Sequence, residues 1–284
     1  MQPECVPCLL KRCVFEARIV DESKERKVIE EALSILNDRF EPGCVSAEVA
    51  TEVHKRVYDI LGTDDPYKEL KNWSNEAAEK LLPRAEEIVE EKGFKGAALV
   101  SIAGNVLDFG YRDDLDSPDY FLEEFEGIIE EGLGYDDTEN VKGLLEDAED
   151  VIYFTDNAGE IVLDTLLMKK IKEYGVHLTV VVKGEPIITD ATMEDAIKYG
   201  VDEIADELIT TERYAIGIPF WDMPQGLKDH LDKADVIIAK GMANWESFSE
   251  TDYRPIAYFT RSKCIPVSKA MDVPYEKNIV KLFE

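Results

Sequence analysis

Hydrophobic residues recur at helical spacing through the first third of the chain. Three such patterns comprise Val6, Leu10, Cys13, Val14 and Ala17, then Val28, Ile29, Ala32, Leu33 and Leu36, and then Val49, Val53, Val57 and Ile60. Pro66 interrupts the periodicity, because the residue before a proline is pushed out of the helical region. A further helical pattern covers residues 77–82. We therefore predict a helical subdomain over residues 1–95 that packs on the remainder, since no low-complexity linker follows it.

The rest of the chain alternates short apolar runs with helical patterns. Runs suited to buried strands, and too short for helices, occupy residues 151–154, 177–182, 234–239, 255–258 and 279–282. Between the first two runs, Ile161, Val162, Leu166, Leu167 and Ile171 recur at helical spacing. Because a right-handed crossover makes successive strands parallel, this pattern predicts an α/β core over residues 96–284 with a mostly parallel sheet.

Three stretches are less regular. Residues 97–103 form an apolar segment that suits either a buried helix or a strand. The acidic stretch 113–131 predicts a solvated loop and helix face, as charge runs usually do. Residues 203–225, which contain Gly217, Pro219, Trp221 and Pro224, predict a region that ends in a loop bordering a pocket.

Polar side chains follow three of the predicted strands. Asp156 and Asn157 come directly after the first, Asp190 precedes the helix after the second, and Lys240 follows the third. In open α/β sheets ligands bind at the carboxyl ends of the strands. Carboxylate and amide oxygens suit a hard cation such as Mg²⁺ or Mn²⁺, and a lysine beside them suits phosphate. The competing interpretation is that Asp156 or Asn157 caps the following helix.

The ordered set of motifs resembles a known family, the damage-control phosphatases, formerly catalogued as domain of unknown function 89. The motifs are Thr155-Asp156-Asn157-Ala158-Gly159-Glu160, Gly104-Asn105-Val106-Leu107-Asp108-Phe109-Gly110, Asp190-Ala191-Thr192 and Lys240-Gly241-Met242-Ala243-Asn244. Cys5-Val6-Pro7-Cys8 is typical of the prokaryotic branch. The resemblance covers essentially the whole chain. It implies a helical amino-terminal region packed on a three-layer α/β/α core, and it favours a helix over residues 97–103.

By the same resemblance, the chain is a metal-dependent phosphatase of small phosphorylated metabolites, such as sugar phosphates or damaged phosphometabolites. Asp156, Asn157 and Asp190 then hold a divalent metal, which is Mn, Co, Ni or Mg, while Lys240 and Asn105 face the phosphate. The substrate-binding set also includes Gly159, Glu160 and Asn244 from the same motifs, and the catalytic set comprises Asp156, Asn157 and Lys240. Asp108 is a candidate for orienting the ligand-contacting side chains without touching the ligand itself. Lys263, just after the run at residues 255–258, is a weaker candidate for the phosphate site. Attack by Asp156 and attack by metal-bound hydroxide both stay open.

Composition and charge exclude several classes of binding partner. Sixty-one acidic against 32 basic residues give a formal net charge of −29, which argues against nucleic acid and against an anionic membrane surface. No apolar run approaches the roughly 20 residues that cross a bilayer, and no secretory pattern opens the sequence. Five cysteines are an odd number, so we expect a reduced, cytoplasmic setting. For Cys5 and Cys8 we favour a packing or redox role over zinc, because a second ligand pair is missing.

Two other functions compete with the phosphatase interpretation. One is methyl transfer to protein carboxylates, an activity also suggested within the family that the chain resembles. The other is a non-catalytic metabolite-binding module with a structural metal. The sequence offers no Gly-x-Ser-x-Gly elbow, dinucleotide-binding turn or phosphate-binding loop for other chemistries. Its three histidines, His54, His177 and His230, lack metal-ligand spacing, and we interpret them as ordinary core or surface residues. The oligomeric state is not predicted.

Overall fold

The computed structural model describes residues 1–105 and 118–284. Its amino-terminal part is a bundle of three helices, α1 (Cys5–Val20), α2 (Glu25–Arg39) and α3 (Ser46–Leu61). Their apolar stripes meet in one core, which includes Cys13, Val28 and Val53, each fully buried. The three helices predicted from periodicity are therefore confirmed.

A long helix leads from this bundle into the rest of the molecule. Helix α4 (Lys68–Gly104) is broken at Gly93, whose φ of 61° is not helical, and its second half is buried against helix α7. The predicted helix over residues 97–103 is confirmed. The predicted division of the chain between residues 95 and 96 falls inside α4 and stays a prediction.

The core is built on a sheet of seven strands. These are β1 (Leu133–Asp136), β2 (Asp150–Phe154), β3 (His177–Val182), β4 (Glu207–Thr210), β5 (Val236–Lys240), β6 (Ile256–Arg261) and β7 (Asn278–Phe283). Their order is β1-β7-β6-β5-β2-β3-β4. Strands β2 to β6 are mutually parallel, whereas β7 runs antiparallel to β6 and parallel to β1. A mostly parallel sheet was predicted and is confirmed.

Helices cover both faces of the sheet. The remaining helices are α5 (Pro118–Glu131), α6 (Thr138–Asp147), α7 (Glu160–Lys172), α8 (Met193–Lys198), α9 (Val201–Ile204), α10 (Gln225–Lys233), α11 (Gly241–Phe248) and α12 (Ile265–Met271). Side chains of β2 alternate between the two layers: Val151 and Tyr153 pack with α4 and α7, and Ile152 and Phe154 pack with α10 and α11. Each such buried side chain contributes roughly 1.5–3 kcal/mol. The predicted three-layer α/β/α core is confirmed.

Several elements were missed or only partly predicted from the sequence, among them β1, β4, α5, α6, α10 and α12. Strands β1 and β4 are short, half-exposed edge strands, so they lack the continuous apolar runs of the central strands. In the acidic stretch, α5 turns Phe125, Ile128 and Ile129 into the core, so only its other face is solvated. Among the described residues no helix has the length and apolarity needed to cross a membrane.

The strand order creates a crevice at one edge of the sheet. After β2 the chain adds β3 and β4 on one side, and β5 and β6 lie on the other. The connections therefore diverge between β2 and β5, and at such a point the carboxyl ends of the strands leave a ligand-sized gap. Asp156 follows β2 there, and Gly241 follows β5.

Candidate functional site

The structure brings the three predicted metal ligands together at this crevice. The turn after β2 pairs with the loop before α8: Asn157 and Asp190 form an isolated β-bridge, and the Ala191 N–H donates to the Asp156 carbonyl at 2.8 Å. All three side chains line one cavity, although each is more than nine-tenths buried. Two sequence segments 33 residues apart are thus fixed to each other by backbone hydrogen bonds before any ligand arrives.

A glycine sets the position of Asp156. Gly241 begins α11 with a φ of +73°, and a Cβ at this position would overlap the Asp156 carboxylate. The carboxylate therefore rests against the amino-terminal end of α11, where the helix dipole favours negative charge. Any larger residue at position 241 would displace it.

Two amide side chains hold the carboxylates of Asp156 and Glu160. Asn105 Nδ2 donates to Asp156 Oδ2 and to Glu160 Oε2, both at 2.8 Å. Asn157 Nδ2 donates to the same two oxygens, at 2.8 and 3.0 Å. Asn157 Oδ1 in turn accepts from Thr189 Oγ1 at 2.8 Å. We call Asn105, Asp156, Asn157 and Asp190 the strand-end wall.

Behind this wall lies a group of charged residues that the cavity does not reach. Lys240 Nζ donates to Glu160 Oε1 and Asp164 Oδ1, both at 2.6 Å, and all three side chains are fully buried. Burial raises the pKa of Asp164 to about 6. Burial alone would lower the pKa of Lys240, yet Asp164 and Glu160 hold it above its ordinary value. We call Lys240, Glu160 and Asp164 the closed cluster.

Several residues predicted to bind substrate are therefore engaged within the chain. Lys240, Glu160 and Asn244 do not line the cavity, and Asn244 Nδ2 donates to the carbonyls of Thr155 and Lys240. The Gly159 N–H donates to Asn75 Oδ1 at 2.6 Å, and the Glu160 N–H donates to the Ala158 carbonyl. Of the predicted substrate-contacting set, the structure places Asn105 on the cavity surface.

The cavity measures about 390 Å³ and is enclosed by parts distant in sequence. Its lining comes from helices α1 and α3, from the strand-end wall, and from α11 and the start of α12. Lys263, just after β6, lines it and donates to the Asn105 carbonyl. Lys183, at the end of β3, lies behind Asp190, with Nζ 3.3 Å from Asp190 Oδ2. Cations thus stand both beside and behind the wall.

The residues present fit a hard divalent cation. Asp156 and Asp190 supply carboxylate oxygens and Asn157 supplies an amide oxygen, which is a donor set typical of Mg²⁺ or Mn²⁺ with positions left for water and ligand. Within residues 1–105 and 118–284, no group of three or more His, Cys, Asp or Glu side chains is arranged around a common metal position. Cys5 and Cys8, in the first turn of α1, line the cavity together with Cys264, and their thiols are free.

The sequence analysis gave little or no weight to three residues that the structure places at or next to the cavity. Lys263 was only a weaker candidate than Lys240 for binding the phosphate. His54, which lines the cavity, was interpreted as an ordinary core or surface residue. Lys183 had no role, although it follows a strand as Asp156 does. Glu160, which was predicted as a substrate contact, joins the wall to the closed cluster by hydrogen bonds. Asp108, Phe109 and the other motif residues up to Gly110 lie outside the described residues.

Comparisons with known proteins agree with this architecture. The family model of the damage-control phosphatase ARMT1-like domain matches residues 1–279. A damage-control phosphatase of Archaeoglobus fulgidus is 43% identical over 288 residues, covering 100% of this chain and 99% of the relative. A damage-control phosphatase of Pyrococcus horikoshii is 31% identical over 280 residues, covering 96% and 95%. The crystal structure of a DUF89 family protein from Pyrococcus horikoshii superposes with a TM-score of 0.89 at 30% identity, covering 100% of this chain and 99% of that one.

Proposed function

Because the chain belongs to the damage-control phosphatase ARMT1-like family, we propose that it is a divalent-metal-dependent phosphatase of small phosphorylated metabolites. The observation that carries this proposal is the strand-end wall itself. Two carboxylates and two amides converge on a cavity of about 390 Å³, large enough for a phosphorylated metabolite but not for a folded protein substrate.

Asp156, Asn157 and Asp190 would hold the metal. When bound, such an ion polarises the phosphoryl group and offsets its negative charge. The chain itself prepares the site: the amide N–H groups of Asn105 and Asn157 fix Asp156 Oδ2, and Thr189 fixes Asn157 Oδ1. This preorganisation lowers the cost of assembling the site, since the side chains are already in place.

Lys263 is the residue we assign to the phosphate. It lines the cavity beside Asn105, whereas Lys240 is enclosed by Glu160 and Asp164. Attraction of a phosphate to a protein of net charge −29 needs such a local cation, and screening over about 10 Å at 0.1 M salt limits the repulsion from distant carboxylates.

Lys240 then acts as a positioning residue. Its ammonium holds Glu160 Oε1, and Glu160 Oε2 accepts from the amides of Asn105 and Asn157. Lys240 thereby fixes the positions of Asn105 and Asn157 through the carboxylate of Glu160. Glu160, Gly159 and Asn244 likewise maintain the geometry of the turn, and they do so without touching the substrate.

Phosphate release on metal addition tests this function. The purified chain is stripped with a chelator and assayed on a panel of sugar phosphates and other phosphomonoesters, with Mg²⁺, Mn²⁺, Co²⁺ or Ni²⁺ restored one at a time. We expect release only after metal is restored, and none from Asp156→Ala prepared in parallel, which controls for contaminating phosphatases. Absence of release with every metal, or methyl transfer to protein carboxylates instead, would overturn the proposal.

A further inference from the structure

A buried histidine pair adjoins the cavity, because His54 is one of its lining residues. His54, on α3, is 1% exposed, and Glu16, on α1, is 0% exposed. His54 Nδ1 lies 2.8 Å from Glu16 Oε1 and 3.0 Å from Oε2. Tyr67 Oη donates to the same carboxylate at 3.2 Å. A carboxylate accepts hydrogen bonds and does not donate them, so Nδ1 carries a proton and Nε2 is the nitrogen left for other contacts.

Helix α3 places this histidine on the same cavity as the proposed metal ligands. Ser46, Ala50 and His54 lie four residues apart on one face of α3, and all three line the cavity. One turn further, the Tyr58 hydroxyl accepts from the Ile188 N–H at 3.0 Å. Ile188, Thr189 and Asp190 form the next stretch of cavity wall. His54 therefore stands beside the loop that carries Asp190.

We propose that His54, oriented by Glu16, is a catalytic general acid that protonates the leaving-group oxygen of the substrate. This inference rests on the proposed phosphatase function. In the net reaction the ester P–O bond breaks with its electron pair on the leaving oxygen. That oxygen takes the proton of His54 Nε2 and departs as a neutral alcohol. A water oxygen forms the new P–O bond, and the proton it releases restores Nε2–H.

The Glu16 pairing suits this role. It fixes the ring plane through Nδ1, so that Nε2 keeps one direction, and its negative charge balances the imidazolium from a position that water does not reach. The cost of burying Glu16 is offset by the donors from His54 and Tyr67.

The test is the dependence of rate on the leaving group. His54→Asn keeps a donor at the position of Nδ1 but removes Nε2. With an alkyl phosphate, whose alkoxide needs a proton to depart, we expect kcat to fall by about 10²-fold or more. With p-nitrophenyl phosphate, whose anion leaves unprotonated, we expect a change of less than about threefold. His177→Asn is the matched control, because it removes an exposed His–carboxylate pair with Glu207 and should change neither rate.

Each outcome decides between the alternatives. Equal losses with both substrates, or no loss with either, would overturn the general-acid role of His54. If His54→Asn does not fold, Glu16→Gln replaces it, since Gln keeps an acceptor for Nδ1–H without the charge. We then expect a smaller difference between the two substrates, with kcat again falling more for the alkyl phosphate than for p-nitrophenyl phosphate. The absence of this difference counts against the proposal. Failure of the parent chain to release phosphate from either ester would instead refute the phosphatase function.

Discussion

The strand-end wall and the closed cluster are built from the same kinds of residue but differ in access. Asp156, after β2, and Asp190, in the loop after β3, both border a cavity. Glu160 and Asp164 are fully buried around Lys240, and their charges are satisfied inside the protein. We therefore propose that motif residues serve the same site in two ways: those on the cavity contact the ligand, and those in the closed cluster hold the first group in place.

Removing one carboxylate from the wall gives the largest expected effect. Asp156→Ala and Asp190→Ala should each lower metal-dependent phosphate release by at least about 10²–10³-fold, because the metal is lost. Phosphate-release kinetics together with calorimetric titration of metal measure this. Retained metal binding with retained hydrolysis in both variants would restore the helix-capping interpretation of this turn.

The same two variants should differ in stability without metal. Asp156→Ala leaves Asn105 and Asn157 still bonded to Glu160, and it removes one negative charge, so its apo thermal stability should be unchanged or raised. Asp190→Ala leaves the buried Lys183 ammonium without its carboxylate, so it should unfold more readily. Thermal unfolding in the presence of a chelator separates the two.

Lys240→Met should mainly lower the stability of the fold, and it should affect substrate binding less directly. The change leaves two fully buried carboxylates without a cation, which costs about 3–5 kcal/mol in the free energy of unfolding. Urea unfolding of the apo protein measures it. Lys263→Met is the comparison, because a half-buried cavity cation should change stability by less than about 1 kcal/mol while weakening turnover. A stable Lys240→Met with weakened phosphate binding would return Lys240 to the phosphate site.

The smallest expected effect is a pH dependence of stability. Burial raises the pKa of Asp164 to about 6, so the stabilisation from its protonation is present at low pH and is lost as the pH rises through 6. Asp164→Asn should therefore gain stability relative to the parent as the pH increases from 5 to 7.5, measured by urea unfolding across that range.

Glu131→Gln provides a control of opposite sign. Burial would raise the pKa of Glu131, but Arg261 and Lys277 lower it below its ordinary value. Its contribution is present at neutral pH and is lost as the pH falls below the ordinary range of a glutamate. Glu131→Gln should thus be less stable than the parent at pH 7, and the difference should shrink on acidification. If the stability difference between Asp164→Asn and the parent does not change with pH, Asp164 does not take up a proton in the closed cluster in this pH range.

Local patterns in the sequence were sufficient for most elements and for part of the site. The buried strands show continuous apolar runs because both of their faces are covered, and parallel strands place their carboxyl ends at one edge. That rule alone brought Asp156 and Asp190 together. Edge strands β1 and β4 escaped detection, because one-sided pairing and partial exposure leave no such run.

What the sequence determined by itself is thus the helices of the amino-terminal part, the helix after β2, the central strands, and which residues follow those strands. Only the tertiary structure decided which of those residues a ligand can reach. Lys240 ends β5 and Lys263 follows β6, yet Glu160 and Asp164, from α7, enclose the first and leave the second at the cavity. His54 joins the site because the amino-terminal bundle packs over the sheet edge. Access depends on contacts between residues far apart in the chain, and periodicity and spacing report only on neighbours.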